Sequence, residues 1–137
     1  MSIPRLHDFI QKVWNEGDAQ ASLSFIGDSY TVFHDPGDPW DGKTLTPQGF
    51  VDRVNTSRAM APDQVFTVLD SFEADSKVAI NWTWVGTHTG DIAGIPAVGK
   101  RITMSGMTIY TFDAGRIRGH WQIADRLGVY QQLMGQR

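Results

Sequence analysis

A change of rhythm at Asp63 constrains this chain more than any other feature. Before it, apolar residues recur every three or four positions; after it, they alternate. Leu6, Phe9, Ile10, Val13 and Trp14 follow the i, i+3, i+4, i+7, i+8 spacing of an amphipathic helix, which Asn15-Glu16-Gly17-Asp18 interrupts. Asp18 is placed to cap a shorter helix across Ala19 to Ile26 that buries Leu23 and Ile26. Tyr30 to Phe33 reads as a strand, and His34-Asp35-Pro36-Gly37-Asp38-Pro39 after it as a loop. Thr46-Pro47 opens a third helix, with Phe50, Val51 and Val54 as its buried stripe and Ala61-Pro62-Asp63 at its end.

Beyond Asp63 the alternation predicts strands at Val65 to Ala74, Lys77 to Thr89, Arg101 to Phe112 and Arg116 to Ala124. Asp75-Ser76 and Asp113-Ala114-Gly115 are short enough for hairpin turns. Gly86, Gly90, Gly94 and Gly99 mark a longer connection expected to bend and move at a pocket rim or subunit contact. A last helix from Asp125 to Met134 buries Leu127, Val129 or Tyr130, and Leu133. Helices followed by hairpin-linked strands predict an α+β fold: helices on one face of a curved antiparallel sheet, forming a cone with an open mouth. Residues 1–137 fit one domain, long enough to fill a core and line a cavity.

The balance of 12 basic against 15 acidic residues provides no positive field for nucleic acid or an anionic membrane surface. Zero cysteines exclude disulfides, thiolate metal sites and cysteine nucleophiles. The N-terminus turns polar before a signal-peptide core forms, and no apolar run approaches the about 20 residues of a membrane span, so the expected location is cytoplasmic. No Walker loop, dinucleotide fingerprint, Gly-x-Ser-x-Gly elbow or metal-ligand spacing is present, so the expectation is an enzyme without cofactor or metal.

Asp125 is the first candidate for chemistry. Strict alternation puts Ile117, Gly119, Trp121, Ile123 and Asp125 on one face, apolar except at its end. Such neighbours raise a carboxylic acid's pKa toward neutrality, where it can exchange a proton. The same residue is also a good cap for the last helix, and both readings stand. Among the four histidines, His34 ends a strand beside an acidic loop and is a candidate for the pocket mouth. His88, between Gly86 and Gly90, is a candidate at the bent strand end; His120 should face away from Asp125, toward another subunit. Trp14 and Trp121 are candidate pocket walls with Met104, and Thr108 or Tyr110 could hydrogen-bond a substrate oxygen. The strands from Val65 to Ala124 leave neither sheet face fully polar, which predicts a homodimer through the face that does not line the cone.

Three segments together resemble the SnoaL-like polyketide cyclase family: Trp14 to Asp18, Gly86 to Lys100, and Gly115 to Asp125 continuing through Leu127-Gly128 to Gln132-Leu133. The resemblance implies the nuclear-transport-factor-2-like cone, an internal pocket and, commonly, a dimer. It also implies that Asp125 matches the general acid/base of an intramolecular aldol ring closure. One departure is Thr108, which stands where those cyclases carry a histidine. The expected function is a cofactor-independent acid/base enzyme, of cyclase or isomerase type, acting on a hydrophobic polycyclic or aromatic ketone. Its rivals are a non-catalytic small-molecule-binding or assembly module, and a cofactor-free hydroxylase or epoxide-opening enzyme.

Overall fold

The computed structural model describes residues 1–92 and 94–135. Helix α1, Ile3–Phe9, carries Pro4 in its first turn and loosens into a π-helical stretch over Ile10–Asn15. The apolar stripe continues through both, burying Leu6, Phe9, Ile10, Val13 and Trp14. Asp18 accepts a hydrogen bond from the Ala21 amide at 3.1 Å and caps a 3-10 helix, Ala19–Ser24. At about three residues per turn this helix rotates its stripe away from the expected one. It buries Ala19 and Ser22 and leaves Leu23 exposed, while Ile26 already begins strand β1, Ile26–His34.

Strand β2, Thr44–Leu45, pairs antiparallel with β1 and is too short for alternation to reveal. Helix α2, Pro47–Met60, starts as read: Thr46 Oγ1 accepts from the Gly49 amide at 3.0 Å. It buries Phe50, Val51 and Val54, and Arg53 with them. Strands β3 (Val65–Ala74), β4 (Lys77–Thr87), β5 (Arg101–Asp113) and β6 (Arg116–Ala124) form an antiparallel meander. Its turns hold Asp75 and Ala114 at positive φ, 57° and 50°.

The six strands make one curved, unclosed sheet in the order β2-β1-β6-β5-β4-β3. The expectation of purely antiparallel pairing is corrected at one place: β1 runs parallel to β6. The meander crosses the sheet in antiparallel steps, and its last strand arrives beside the first pointing the same way. The core lies between the concave face and the helices, centred on Phe50, whose ring is 4.5 Å from that of Tyr30 and 6.0 Å from that of Phe9.

Helix α3, Arg126–Leu133, also differs from its expected packing. Leu127 and Tyr130 are exposed, and Gly128 is its buried residue. A polar clasp holds it to β5 instead. The Gln132 side chain accepts from the Thr103 amide and donates to the Thr103 carbonyl, each at 2.8 Å. No helix is long and apolar enough to cross a membrane among the described residues.

Two β-bulges decide which side chains face inward. From Tyr110↔His120 to Phe112↔Ile117, β5 advances two residues and β6 three, so Arg118 is an extra residue in β6. The bulge puts Ile117, His120 and Gln122 on the concave side and turns Trp121 and Ile123 outward. From Val32↔His120 to His34↔Trp121, β1 advances two residues and β6 one, so Phe33 is extra in β1. His34 therefore stacks on Trp121 on the outer face, ring centroids 4.7 Å apart, and the next residue, Asp35, turns inward. A side chain at Gly119 would collide with the Thr31 carbonyl oxygen, so glycine is required where these two strands close together.

Candidate active site

The concave face and the helices surround a cavity of ≈ 150 Å³. Trp14, Phe66, Trp82, Trp84 and Met104 supply much of its apolar wall. Tyr30, Tyr110, His120 and Gln122 bring polar groups to it, and Asp38, Arg53 and Arg126 add charge.

A buried hydrogen-bonded chain runs along this polar side. Tyr30 Oη lies 2.6 Å from His120 Nδ1, and His120 Nε2 lies 2.9 Å from Asp35 Oδ2. Asp35 has no exposed surface; it also accepts from Arg126 Nη2 at 2.7 Å and from the Gln122 side-chain amide at 3.2 Å. A carboxylate can only accept, so Nε2 carries the imidazole hydrogen and Nδ1 accepts from the Tyr30 hydroxyl. Thr108 stands behind this row, accepting from Trp82 Nε1 at 2.8 Å and donating to Gln122 Oε1 at 2.7 Å. It fixes Gln122 and Trp82, and it is not part of the cavity lining.

The electrostatics suit proton exchange. Burial alone would raise the Asp35 carboxyl, but the hydrogen bonds from His120 and Arg126, with their charges, hold it below the ordinary 3.8. Burial pushes His120 below the ordinary 6.5, against the opposing effect of its hydrogen bond to Asp35. Asp35 is thus ionised and His120 neutral at pH 7. Burial raises both Tyr30 and Tyr110 above the ordinary 10.0, so both phenols keep their protons. Tyr110 lines the cavity, and its Oη makes no hydrogen bond among the described residues.

A stability profile follows from these directions. His120 has a lower pKa folded than unfolded, so below pH 6.5 the unfolded chain takes up its proton first and stability falls. Asp35 adds a second loss as pH falls through 3.8 toward its lower folded value. The thermal midpoint should decline on the acid side of 6.5, and His120→Gln should flatten that first decline. Identical profiles for the two proteins would refute the assignment.

Trp14, Met104 and Tyr110 line the cavity as expected, and the other sequence candidates do not. His34 and Trp121 are carried outward by the bulges. His88 has no exposed surface and both ring nitrogens lack partners among the described residues. Among the described residues, the glycine-rich connection contributes nothing to the cavity lining; Ala93 within it lies outside the described residues. Asp125 is exposed and accepts from the Gly128 amide at 2.9 Å, capping α3. Sequence reading passed over Asp35 and turned His120 the wrong way, because alternation was counted without the bulges. The signal for Asp35 is the acidic loop directly after β1, which points to His34 when alternation alone is followed.

A curved sheet with helices across its concave face and a cavity between them defines the nuclear-transport-factor-2-like fold. The SnoaL-like polyketide cyclase model matches residues 5–133, so the chain belongs to that family. It is similar to a crystal structure from Acidithiobacillus ferrooxidans provisionally described as a polyketide cyclase. The two share 50% identity over 96% of this chain and 93% of that one, with a TM-score of 0.89. TsrD from Streptomyces laurentii shares 25% identity over 99% and 96% of the two chains, with a TM-score of 0.82. A protein provisionally described as a hydroxylase, AclR from Streptomyces galilaeus, shares the fold at 17% identity, over 96% and 80% of the chains, with a TM-score of 0.78. No curated protein matches the sequence.

Proposed function

We propose that this protein is a cofactor-independent acid/base enzyme of cyclase type that moves a proton next to a carbonyl of an aromatic ketone. The observation that carries the reading is the buried Tyr30–His120–Asp35 chain bordering an aromatic cavity. The substrate gives its α-proton to Tyr30 Oη as Tyr30 passes its own to His120 Nδ1. The resulting imidazolium is held by ionised Asp35, the same division of labour as in a Ser-His-Asp triad. Tyr110 Oη donates to the oxygen of the enolate that forms. The enolate carbon then attacks a second carbonyl in ring closure, or is reprotonated elsewhere in isomerisation, and the proton returns from His120 through Tyr30. Nothing is oxidised or reduced.

The family membership and the cyclase description of the 50% identical relative support this reading. It is tested with benzoylacetone in deuterated buffer, following loss of the α-proton signal by NMR. The protein should accelerate exchange above the buffer rate, more strongly at neutral than at acid pH because His120 must be neutral to accept. No acceleration at any pH would exclude the reading.

We further propose that the active form is a homodimer joined through the outer sheet face. Cross-strand neighbours Ile109 and Trp121 are exposed there, as are Met107 and Ile123, with Phe33 on β1 and Phe72 on the edge strand β3. An apolar surface spread over several strands is unusual on a monomer. Light scattering at micromolar concentration should give twice the 15.3 kDa chain mass; a mass of one chain would count against it.

A further inference from the structure

The acid/base reading leaves one charged group at the cavity, Arg53, without a task. Arg53 is only 7% exposed, lines the cavity, and lies over the rings of Trp14, Trp40 and Phe50 at 5.4, 5.6 and 5.9 Å. A guanidinium has five N–H donors. Arg53 makes one side-chain hydrogen bond among the described residues, a long one of 3.4 Å from Nη2 to Asp38, and Asp35 is 3.8 Å away. Its Nε is buried and unpaired. Asp35 is already neutralised more closely by Arg126 at 2.7 Å. What remains is a buried cation loosely countered by Asp38, and the Arg53 charge also reaches Tyr30 and Tyr110. Buried donors left unmade are costly, and a planar guanidinium in an aromatic cage matches a planar carboxylate.

Size adds a second restriction. A cavity of ≈ 150 Å³ has room for one aromatic ring against its apolar wall, and lies below the usual range for larger organic ligands. Resting on the acid/base reading, we infer that the substrate is a single-ring aromatic ketone carrying a carboxylate, with the carboxylate on Arg53 and the ketone oxygen on Tyr110.

The test compares two compounds of nearly equal shape, benzoylacetate and benzoylacetone, which differ by a carboxylate in place of a methyl ketone. Calorimetric titration of the full chain at neutral pH should show benzoylacetate binding about 10–100-fold tighter, the range for charge-assisted hydrogen bonds at a buried site. Arg53→Met should abolish the preference, and Arg53→Lys should keep part of it. Anthraquinone-2-carboxylate, with three fused rings, should not bind. Equal affinity for the first two compounds, binding of neither, or tighter binding of the anthraquinone would overturn the inference. The wild-type ratio decides the matter even if the Arg53 variants fail to fold. Benzoylacetone exchanging its α-proton without any carboxylate preference would leave the acid/base reading standing and remove only this one.

Discussion

Replacing Asp35 by alanine should lower the stability of this protein by about 3–5 kcal/mol, the cost of removing one partner from a buried charge network. The carboxylate is wholly buried and is the shared acceptor for Arg126, His120 and the Gln122 amide. Its loss leaves the His120 imidazole N–H and the Gln122 amide without this acceptor and leaves Arg126 only Asp38, at 3.8 Å. Asp35→Asn keeps the shape but presents an amide to Arg126, so it should be only partly better. Urea unfolding at neutral pH measures both. An Asp35→Ala protein with the wild-type midpoint would show that the network contributes little, and would remove the reason for calling His120 oriented.

The second large effect falls on turnover. Tyr30→Phe retains the ring that packs 4.5 Å from Phe50 and removes only the oxygen through which the substrate proton is proposed to pass. A positioned acid/base group contributes about 10²–10⁴-fold in rate, and the variant should lose that much. Stability should change far less than in Asp35→Ala, by about 1–3 kcal/mol, because His120 Nδ1 is left buried without its donor. Ligand affinity should be nearly unchanged, since Tyr110 and Arg53 remain.

Much of this fold is legible in the sequence because its long elements keep one period throughout. Strands β3 and β6 fall where alternation puts them, and the stripes of α1 and α2 bury the residues their spacing selects. The short elements are where tertiary context takes over. The 3-10 helix turns Leu23 outward, and α3 is held by Gln132 more than by apolar burial. The site suffers from a subtler effect. Alternation has period two, so a single extra residue exchanges the faces of everything beyond it. Arg118 and Phe33 are such residues; Gly119, next to Arg118, is the local mark of the first bulge, and the residues around Phe33 carry none. Alternation without them selects Trp121 and Asp125 for the cavity, and the position beside the acidic loop selects His34, where the sheet brings Asp35, His120 and Gln122. Met104 and Tyr110 need no such correction because β4 and β5 pair in one unbroken register, and Trp14 needs none because it lies on a helix.

One comparison bears most directly on the central claim: α-proton exchange of benzoylacetone in deuterated buffer by the wild type, Tyr30→Phe and Asp125→Asn, measured side by side. Asparagine caps a helix about as well as aspartate, so Asp125→Asn should keep both its fold and its rate. Tyr30→Phe should remain folded and fall about 10²–10⁴-fold toward the buffer rate. The reverse pattern, with Asp125→Asn inactive and Tyr30→Phe undiminished, would contradict the account and return the chemistry to the aspartate that caps α3.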